Sequence, residues 1–199
     1  MNDASMPDAP MPDPVIDPAG PAVRLPGDRT PRQVLERMIR VDHAGEFGAK
    51  RIYQGQLVVL GRGPHGDTIR HMQEQEQEHL DTFTGLIGSR RVRPTALLPL
   101  WNIAGFMLGV TTAALGSRAA MACTVAVEEA IDEHYRAQTE ELSDDEAELR
   151  STIERFRADE LEHRDIGLAN EAEQAPAYLL LSRVIKAGCK VAIAVSERV

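Results

Sequence analysis

The residues best suited to chemistry in this sequence form two Glu-x-x-His motifs, Glu76 with His79 and Glu160 with His163. Residues three apart lie on the same face of an α-helix, so each motif can present one carboxylate and one imidazole to the same metal ion. A single motif would be weak evidence in a chain with 31 acidic residues and 6 histidines. Two such motifs on two predicted helices indicate a metal site much more strongly.

The two motifs belong to an internal repeat. Glu46 lies 30 residues before Glu76, and Glu128 lies 32 residues before Glu160. A tyrosine and a glutamine follow each upstream glutamate at offsets of seven and ten residues, namely Tyr53, Gln56, Tyr135 and Gln138. Each half therefore reads as a helix with a glutamate followed by a helix with Glu-x-x-His.

Together the two halves supply the ligand set of a ferritin-like di-iron site, in which two helices give one glutamate each and two give Glu-x-x-His. Four carboxylates balance the charge of two metal ions, and oxygen and imidazole ligands suit iron while leaving positions open for O₂. The candidate metal ligands, which are also the candidate catalytic residues, are Glu46, Glu76, His79, Glu128, Glu160 and His163.

Each of these side chains, taken alone, is more simply explained as a surface residue of an acidic helical protein. Their repeated position on apolar helical stripes argues against that explanation for the whole set, because a buried carboxylate is costly unless it is paired or bound to metal. The same criterion separates neighbours: Glu128 shares a face with apolar residues, whereas Glu129 lies on a charged face.

For several polar residues near these positions, the sequence is compatible with more than one role. Asp42, one helical turn before the first candidate ligand, is either a hydrogen-bond partner of a ligand or a surface carboxylate. His43 and His134 have no counterpart in the repeat and are expected to be structural or near-site histidines. Tyr53 and Tyr135 could bond to ligands or relay electrons, and core filling with a bonded hydroxyl is the simpler expectation.

The sequence predicts an all-α fold, a ferritin-like four-helix bundle with an added apolar interfacial segment and a C-terminal apolar helix. Residues 1–29, rich in Pro, Asp and Ala, are expected to form a disordered tail, and residues 30–199 one di-iron domain. Capping-box patterns at Thr30–Gln33 and Ser143–Glu146 mark two helix starts. The predicted helices span about 31–60, 67–89, 118–142, 144–173 and 176–199.

Residues 95–117 contain no charged side chain and could be mistaken for a membrane span. A crossing there would separate the two halves of the ligand set, so we expect instead a bent interfacial segment, with Pro99 causing the bend and Trp101 and Phe106 as anchors. The alternative, for this segment and for the C-terminal apolar helix, is that both simply pack against the core.

The composition excludes several classes of protein. A net charge of −9 and a pI near 5.2 argue against nucleic-acid binding. Two distant cysteines, Cys123 and Cys189, form neither a disulfide framework nor a cysteine-based metal site. The acidic N-terminus resembles neither a signal peptide nor a transit peptide, which points to a bacterial protein facing the cytoplasm or to an already processed chain.

Six sequence blocks follow one another along residues 30–199: RVDHAGEFGAKRIYQGQ, EQEH, RVRPTALLPLWNIAGF, MACTVAVEEAIDEHY, DELEHRDIGL and APAYLLLSRVIKAGCKVAIAVSERV. In these blocks the chain resembles the demethoxyubiquinone hydroxylases of ubiquinone biosynthesis. The resemblance implies a monooxygenase that hydroxylates 3-demethoxyubiquinol (2-polyprenyl-3-methyl-6-methoxy-1,4-benzoquinol), with two Fe ions as cofactors and O₂ as co-substrate. The electrons would come from NADH or from the quinol, and the C-terminal apolar helix would help form the tunnel for the polyprenyl tail.

The resemblance also implies roles for individual residues and partners. Glu46, Glu76 and His79 would bind one iron, and Glu160 and His163 the other, with Glu128 and either Glu76 or Glu160 as bridging candidates. The enzyme would act as a peripheral protein on the cytoplasmic face of the bacterial inner membrane, and a lipid-presenting partner protein and a homo-oligomer are both compatible with it. Two other functions stay open: a ferritin-like oxidase or peroxidase, and a non-catalytic scaffold that binds lipids or proteins.

Overall fold

A computed structural model describes residues 27–199 and contains six α-helices but no strand within that range. The helices are α1 (Pro31–Leu60), α2 (Gly66–Ser89), α3 (Leu98–Ala114), α4 (Ser117–Glu141), α5 (Ala147–Ala169) and α6 (Tyr178–Ser196). The all-α prediction is confirmed. Most of the predicted N-terminal tail, residues 1–26, lies outside the described residues; residues 27–29 are exposed and precede the first helix.

The start of α1 confirms the predicted capping box. The Gln33 backbone N–H donates to the Thr30 hydroxyl at 3.1 Å, and the Thr30 N–H donates to the Gln33 side chain at 2.8 Å. Pro31 fills the first helical position, where a missing N–H has no cost. The helix ends at Gly61, whose N–H bonds to the Leu57 carbonyl, so both predicted bounds are confirmed.

Four of the helices, α1, α2, α4 and α5, form the bundle. Short connections make α1 and α2 antiparallel neighbours, and likewise α4 and α5. The longer connection between the two pairs contains α3. Apolar clusters fill both ends of the bundle, one around Met38, Phe83, Tyr135 and Phe156 and the other around Tyr53, Ile69, Met72 and Met121.

Helix α3 runs parallel to α1 and packs closely against it. A Cβ atom at Gly109 would lie 2.0 Å from the Ile52 carbonyl oxygen, and one at Gly55 would lie 2.2 Å from the Phe106 carbonyl oxygen. Only glycine permits this approach of the two backbones. The expected bend at Pro99 is wrong: Pro99 lies in the first turn of one continuous helix, a position that tolerates proline.

The second predicted capping box is also wrong. No side chain caps the turn at Ser143, and residues Asp144–Glu146 form a short 3-10 turn before α5 begins. The Glu146 carboxylate instead accepts two hydrogen bonds from the Arg90 guanidinium on the α2 side, at 2.8 and 2.9 Å. Helix α5 ends at Ala169, four residues before the predicted position, and a second 3-10 turn, Ala172–Gln174, follows it.

Helices α3 and α6 leave apolar side chains uncovered. Ile103 and Met107 on α3 are 65% and 52% exposed, and Val184 and Val191 on α6 are 61% and 62% exposed. Among the helices of residues 27–199, none combines the length and apolarity that crossing a membrane requires.

Candidate metal centre

The six candidate ligands of the sequence analysis meet in the middle of the bundle, in a polar layer between the two apolar clusters. Helix α1 contributes Glu46, α4 contributes Glu128, and α2 and α5 contribute one Glu-x-x-His motif each. Every one of the six side chains is at most 2% exposed. The polar layer therefore consists of Glu46, Glu76, His79, Glu128, Glu160 and His163.

The polar layer divides into two overlapping groups. In each group, one ligand atom per residue lies within 4.8 Å of the others. The first group is Glu46, Glu76, His79 and Glu160, and the second is Glu76, Glu128, Glu160 and His163. Glu76 and Glu160 thus belong to both groups, while Glu128 belongs to one, as Glu46 does. Of the three bridging candidates, the geometry favours Glu76 and Glu160.

Both imidazoles turn the Nδ1 atom into the polar layer. His79 Nδ1 lies 3.2 Å from a Glu160 oxygen and 3.5 Å from a Glu46 oxygen. His163 Nδ1 lies 3.2 Å from the other Glu160 oxygen and 3.3 Å from Glu76. These contacts are not aligned as hydrogen bonds, since both Nδ1 atoms lack a hydrogen-bond partner among residues 27–199. The geometry is that of donor atoms facing a shared central space.

The outward Nε2 atoms have partners that the sequence analysis missed. His79 Nε2 lies 3.0 Å from an Asp159 oxygen, and His163 Nε2 lies 3.0 Å from the Gln75 side-chain oxygen. Such a bond fixes the tautomer and the ring orientation of a metal-binding histidine. The signal was present in the repeat: Asp159 and Gln75 each directly precede the glutamate of a Glu-x-x-His motif.

The polar layer fits a pair of divalent metal ions. Both oxygens of Glu76 and of Glu160, together with Oε2 of Glu46 and of Glu128, are buried without a hydrogen-bond partner in the described part of the chain. Unpaired buried carboxylates are costly unless a cation compensates them. Four carboxylates and two imidazoles supply oxygen and nitrogen donors, which suit iron and leave room for further ligands.

Each tyrosine of the repeat bonds across to the glutamate of the other half. Tyr53 donates to Glu128 Oε1 at 2.6 Å, and Tyr135 donates to Glu46 Oε1. Burial and the nearby carboxylates raise the pKa of both phenols well above its ordinary value, so both remain protonated donors. Of the interpretations left open, the structure supports bonding to the candidate ligands.

Asp42 and His134 lie beside the polar layer and contact each other. Gln138 donates to Asp42 Oδ1 at 2.7 Å, and His134 Nε2 lies 3.3 Å from the same oxygen. Burial raises the pKa of Asp42, against the opposing effect of His134 and Gln138. Asp42 is thus a buried residue rather than a surface carboxylate. His43 is also buried, with Nδ1 unpartnered, and burial lowers its pKa.

Burial and the neighbouring charges together determine the ionisation of Glu76, Glu128 and Glu160. Burial raises the pKa of Glu76 and of Glu128 well above the ordinary range, and the negative charge of Glu160 raises both further. Burial acts on Glu160 in the same direction, but its contacts with His163 and His79 outweigh burial and lower the pKa of Glu160 to about 2. Without metal, the layer therefore holds Glu160 as an anion and disfavours further negative charge.

The histidines show the complementary effect. Burial lowers the pKa of His79, yet its contacts with Glu160 and Glu46 prevail and raise it to about 12. For His163, burial is likewise outweighed by Glu160 and Glu128, and the pKa rises. In the metal-free protein the imidazoles thus supply positive charge that metal ions would otherwise provide.

A helical bundle with this polar layer at its centre defines a candidate dinuclear metal protein of the carboxylate class. The chain belongs to the family described as "Ubiquinone biosynthesis protein COQ7", whose family model matches residues 33–196 and so includes the whole polar layer. This finding confirms the resemblance drawn from the sequence blocks.

The chain is also similar to individual proteins that are named as hydroxylases of demethoxyubiquinol or demethoxyubiquinone. The chain is 60% identical over 177 residues to a 3-demethoxyubiquinol 3-hydroxylase of Rhodospirillum rubrum, covering 88% of this chain and 84% of that one. It is 54% identical over 175 residues to the human mitochondrial NADPH-dependent 3-demethoxyubiquinone 3-hydroxylase, covering 86% and 81%. A yeast mitochondrial 5-demethoxyubiquinone hydroxylase is 42% identical over 182 residues, covering 83% and 78%.

Proposed function

We propose that this protein is a 3-demethoxyubiquinol 3-hydroxylase, a monooxygenase that adds one hydroxyl to the ring of a polyprenylated quinol in ubiquinone biosynthesis. The observation that carries the proposal is a buried polar layer fitted for two metal ions directly beneath an apolar groove. The similarity to hydroxylases of this name supports the same conclusion.

The apolar groove is a cavity of about 380 Å³ between α3 and α6, with α1 and α4 as its floor. Small residues such as Gly48, Ala104 and Gly188 leave it open, and Ile52 and Leu108 line its walls. Gly45 and Val127 in its floor directly precede Glu46 and Glu128 in the sequence. A polyprenyl quinol fits such a groove, because its tail is apolar and its ring must approach the metal centre.

The residues of the chain have separable tasks in the proposed reaction. The polar layer would hold two iron ions, which supply the redox chemistry between O₂ and the substrate ring. Asp159 and Gln75 fix the two imidazoles, and Tyr53 and Tyr135 hold the outer oxygens of Glu128 and Glu46. The apolar groove excludes water and orients the ring. The electrons come from a reduced nicotinamide or from the quinol.

The exposed apolar side chains of α3 and α6 are the proposed membrane contact. Helix α6 carries three cations, of which Lys186 and Lys190 pair with Glu129 and Glu133 of α4. The exposed Arg183 is therefore the α6 cation proposed to face an anionic lipid surface on the cytoplasmic face. Trp101 and Phe106, the expected anchors, are only partly exposed, and the Trp101 indole N–H donates to Ser196 at 3.0 Å. The proposed anchors are therefore Ile103, Met107 and their neighbours. A lipid-presenting partner and a homo-oligomer remain further proposals.

Flotation with vesicles of anionic lipid tests the membrane contact. Ile103→Glu and Val184→Glu should each reduce binding strongly. Leu168→Glu, on the exposed side of α5, is the matched control and should bind as the unaltered protein does. Equal binding by all three variants, or no binding by the unaltered protein, would remove the membrane proposal.

The quinone content of cells lacking the gene tests the activity. Mass spectrometry of lipid extracts should show accumulated demethoxyubiquinone and reduced ubiquinone, and the unaltered gene should restore both. Glu160→Ala should fail to restore them, whereas Glu162→Ala, an exposed glutamate two residues away, should succeed. Unchanged ubiquinone without a precursor would contradict the hydroxylase and favour a ferritin-like oxidase or peroxidase.

A further inference from the structure

The two walls of the apolar groove, α3 and α6, meet through a single polar contact. No Cα atom of Leu98–Ala114 lies within 8 Å of one in Tyr178–Ser196. Among the residues that the structure describes, one hydrogen bond joins these helices, from the Trp101 indole N–H to the Ser196 hydroxyl oxygen at 3.0 Å. Both residues line the groove, and Ser196 is buried. The groove is thus bridged where α3 begins and α6 ends, and we call this its bridged end.

The groove runs along α1, and the candidate metal centre lies near its midpoint. Val41 and Ile52 are the outermost lining residues on α1. They are eleven positions apart, which corresponds to about 16 Å along a helix. Glu46 lies between them, five positions after one and six before the other. A quinol ring at the metal centre could therefore send its tail towards either end, and distance alone selects neither.

Polar groups lie behind the bridged end. A separate cavity of about 120 Å³ is lined there by charged residues that include Arg37, Glu141 and Glu197. Val41 lines both this cavity and the apolar groove, so the two cavities adjoin. A polyprenyl tail that left the groove at this end would break the hydrogen bond of the buried Ser196 hydroxyl and meet these charges. Both effects are unfavourable for an apolar chain.

The opposite end of the groove, which we call its open end, has an apolar rim. Leu108 on α3 and Val184 on α6 line the groove there. Val184 and Leu180, one turn earlier on α6, are both exposed and belong to the apolar surface of that helix. An apolar tail that leaves between these side chains stays in contact with apolar groups and breaks no polar contact. The open end is therefore the favourable exit for the tail.

The substitution pattern of the quinol makes the direction of the tail important for the reaction. In 2-polyprenyl-3-methyl-6-methoxy-1,4-benzoquinol, the one ring carbon that carries hydrogen is para to the tail. The C–H bond to be hydroxylated therefore points away from the tail. When the tail leaves at the open end, this bond points towards Trp101. The bridge then lies ahead of the reacting edge of the ring and limits how far the ring can slide past Glu46.

We propose that the hydrogen bond between Trp101 and Ser196 closes one end of the apolar groove and sets the direction and depth of the quinol within it. The inference rests on the proposed hydroxylase function. The tail leaves between Leu108 and Val184, and the unsubstituted ring carbon lies on the Trp101 side of the ring. Trp101 and Ser196 are positioning residues, because they hold the ring in place and none of their bonds changes in the reaction.

A label at the end of the tail tests the direction without turnover. The probe is a 1,4-benzoquinone with an alkyl chain that is long enough to leave the groove and ends in a diazirine. It is bound to the iron-loaded protein without O₂ or reductant and then illuminated. Peptide mapping by mass spectrometry should find the label near Leu108 and Val184 in the unaltered protein. In Trp101→Ala the label should also reach residues 196–199, because the bridged end is then open.

Turnover separates a positioning role from a structural one. With a long-tailed quinol, Trp101→Ala should lower kcat on the order of 10–10²-fold, since a displacement of about 1 Å at the reacting atoms suffices for such a loss. KM and iron content should change little, because the tail contacts and the polar layer remain. Asn102→Ala changes the exposed neighbour of Trp101 and should match the unaltered protein.

Milder variants test the hydrogen bond itself. Trp101→Phe removes the N–H donor and Ser196→Ala removes the acceptor, while both keep most of the side-chain volume. Each should lose less kcat than Trp101→Ala. The double variant should lose no more than either single variant, because all three lack the same hydrogen bond. Additive losses in the double variant, or losses in KM with kcat unchanged, would overturn the positioning role.

The labelling and turnover experiments also distinguish this inference from the function on which it rests. If the label falls at the open end in the unaltered protein and at both ends in Trp101→Ala, but no quinol is hydroxylated, the orientation stands and the proposed function fails. If the quinol is hydroxylated but the label falls at the bridged end, or is distributed alike in the unaltered protein and Trp101→Ala, the function stands and the orientation fails.

Discussion

The two halves of the chain, α1 with α2 and α4 with α5, agree at the polar layer and differ around it. Each half supplies one glutamate, one Glu-x-x-His motif and one tyrosine that bonds to the other half. The outward partner of His79 is the charged Asp159, however, whereas that of His163 is the neutral Gln75. Two metal ions require matched ligands, whereas the contacts outside the ligand set are not under that requirement. The repeat therefore keeps its symmetry where the ligands meet and loses it at the flanks.

The strongest test of this comparison contrasts a shared glutamate with an unshared one. Glu160 belongs to both ligand groups and Glu46 to one, so Glu160→Ala should abolish binding of both metal ions, and Glu46→Ala should preferentially weaken one. Metal content measured by inductively coupled plasma mass spectrometry checks this expectation. Equal metal loss in the two variants would show that the ligand groups are not shared as the geometry indicates.

The partners of the two histidines provide a smaller contrast. Asp159→Asn should lower metal affinity by about 10–100-fold, because the charged partner of His79 increases the basicity of the ligand. Gln75→Ala should cost less, since a neutral amide contributes orientation without charge. Competition with a chelator of known affinity measures both variants. A larger effect of Gln75→Ala would contradict the assigned difference between the two sites.

The first half alone carries the added helix α3, and glycines hold the two helices together. Gly109→Ala should lower the free energy of unfolding by about 1–3 kcal/mol or more, because its Cβ atom would meet the Ile52 carbonyl oxygen at 2.0 Å. Gly85→Ala, in α2 with no atom within 4 Å, should instead stabilise the protein by up to about 1 kcal/mol. Thermal unfolding by calorimetry compares the two, and equal melting temperatures would refute the close packing.

The pKa directions in the polar layer predict that metal affinity rises with pH. Without metal, burial raises the pKa of Glu76 and of Glu128, and the contacts of His79 with Glu160 and Glu46 raise its pKa to about 12 despite burial. Metal ions bind the deprotonated groups, so each displaced proton should change the apparent affinity by up to about tenfold per pH unit. Titration calorimetry between about pH 6 and 8 checks the slope.

The same pKa shifts determine how the stability of the metal-free protein depends on pH. A carboxyl whose pKa is higher when folded than its ordinary value of 4.5 stabilises the fold below that value and loses this contribution as the pH rises. The raised pKa of His79 acts in the same direction above 6.5. The metal-free protein should therefore melt at lower temperatures as the pH rises, while the metal-loaded protein should not. A metal-free protein that gains stability with pH would contradict these directions.

The sequence predicted the features that local patterns determine. The capping box at Thr30 depends on residues three apart, and it forms as expected. The capping box at Ser143 failed because the Glu146 carboxylate is bound by Arg90, which is 56 residues away in the sequence. The bend at Pro99 failed because proline disturbs a helix interior and not its first turn. Local sequence patterns thus predicted where the helices lie, but they could not predict long-range contacts that compete with a local cap.

For the candidate site, the repeat brought the right six residues into one set, and the structure places all of them together. The sharing of Glu76 and Glu160 between the two groups depends on where four helices meet, and spacing along one helix carries no such information. The role of Asp159 and Gln75 could have been suspected from their equal repeat positions. The two positions were not recognised as equivalent because one holds an acid and the other an amide.

The most direct test of the central claim is a crystal structure of the iron-loaded protein with anomalous diffraction at the iron absorption edge. Two iron peaks about 3.5–4 Å apart are expected. Glu76 and Glu160 should contact both ions, and Nδ1 of His79 and of His163 should contact one ion each. A single iron peak, or binding outside the polar layer, would contradict the dinuclear centre.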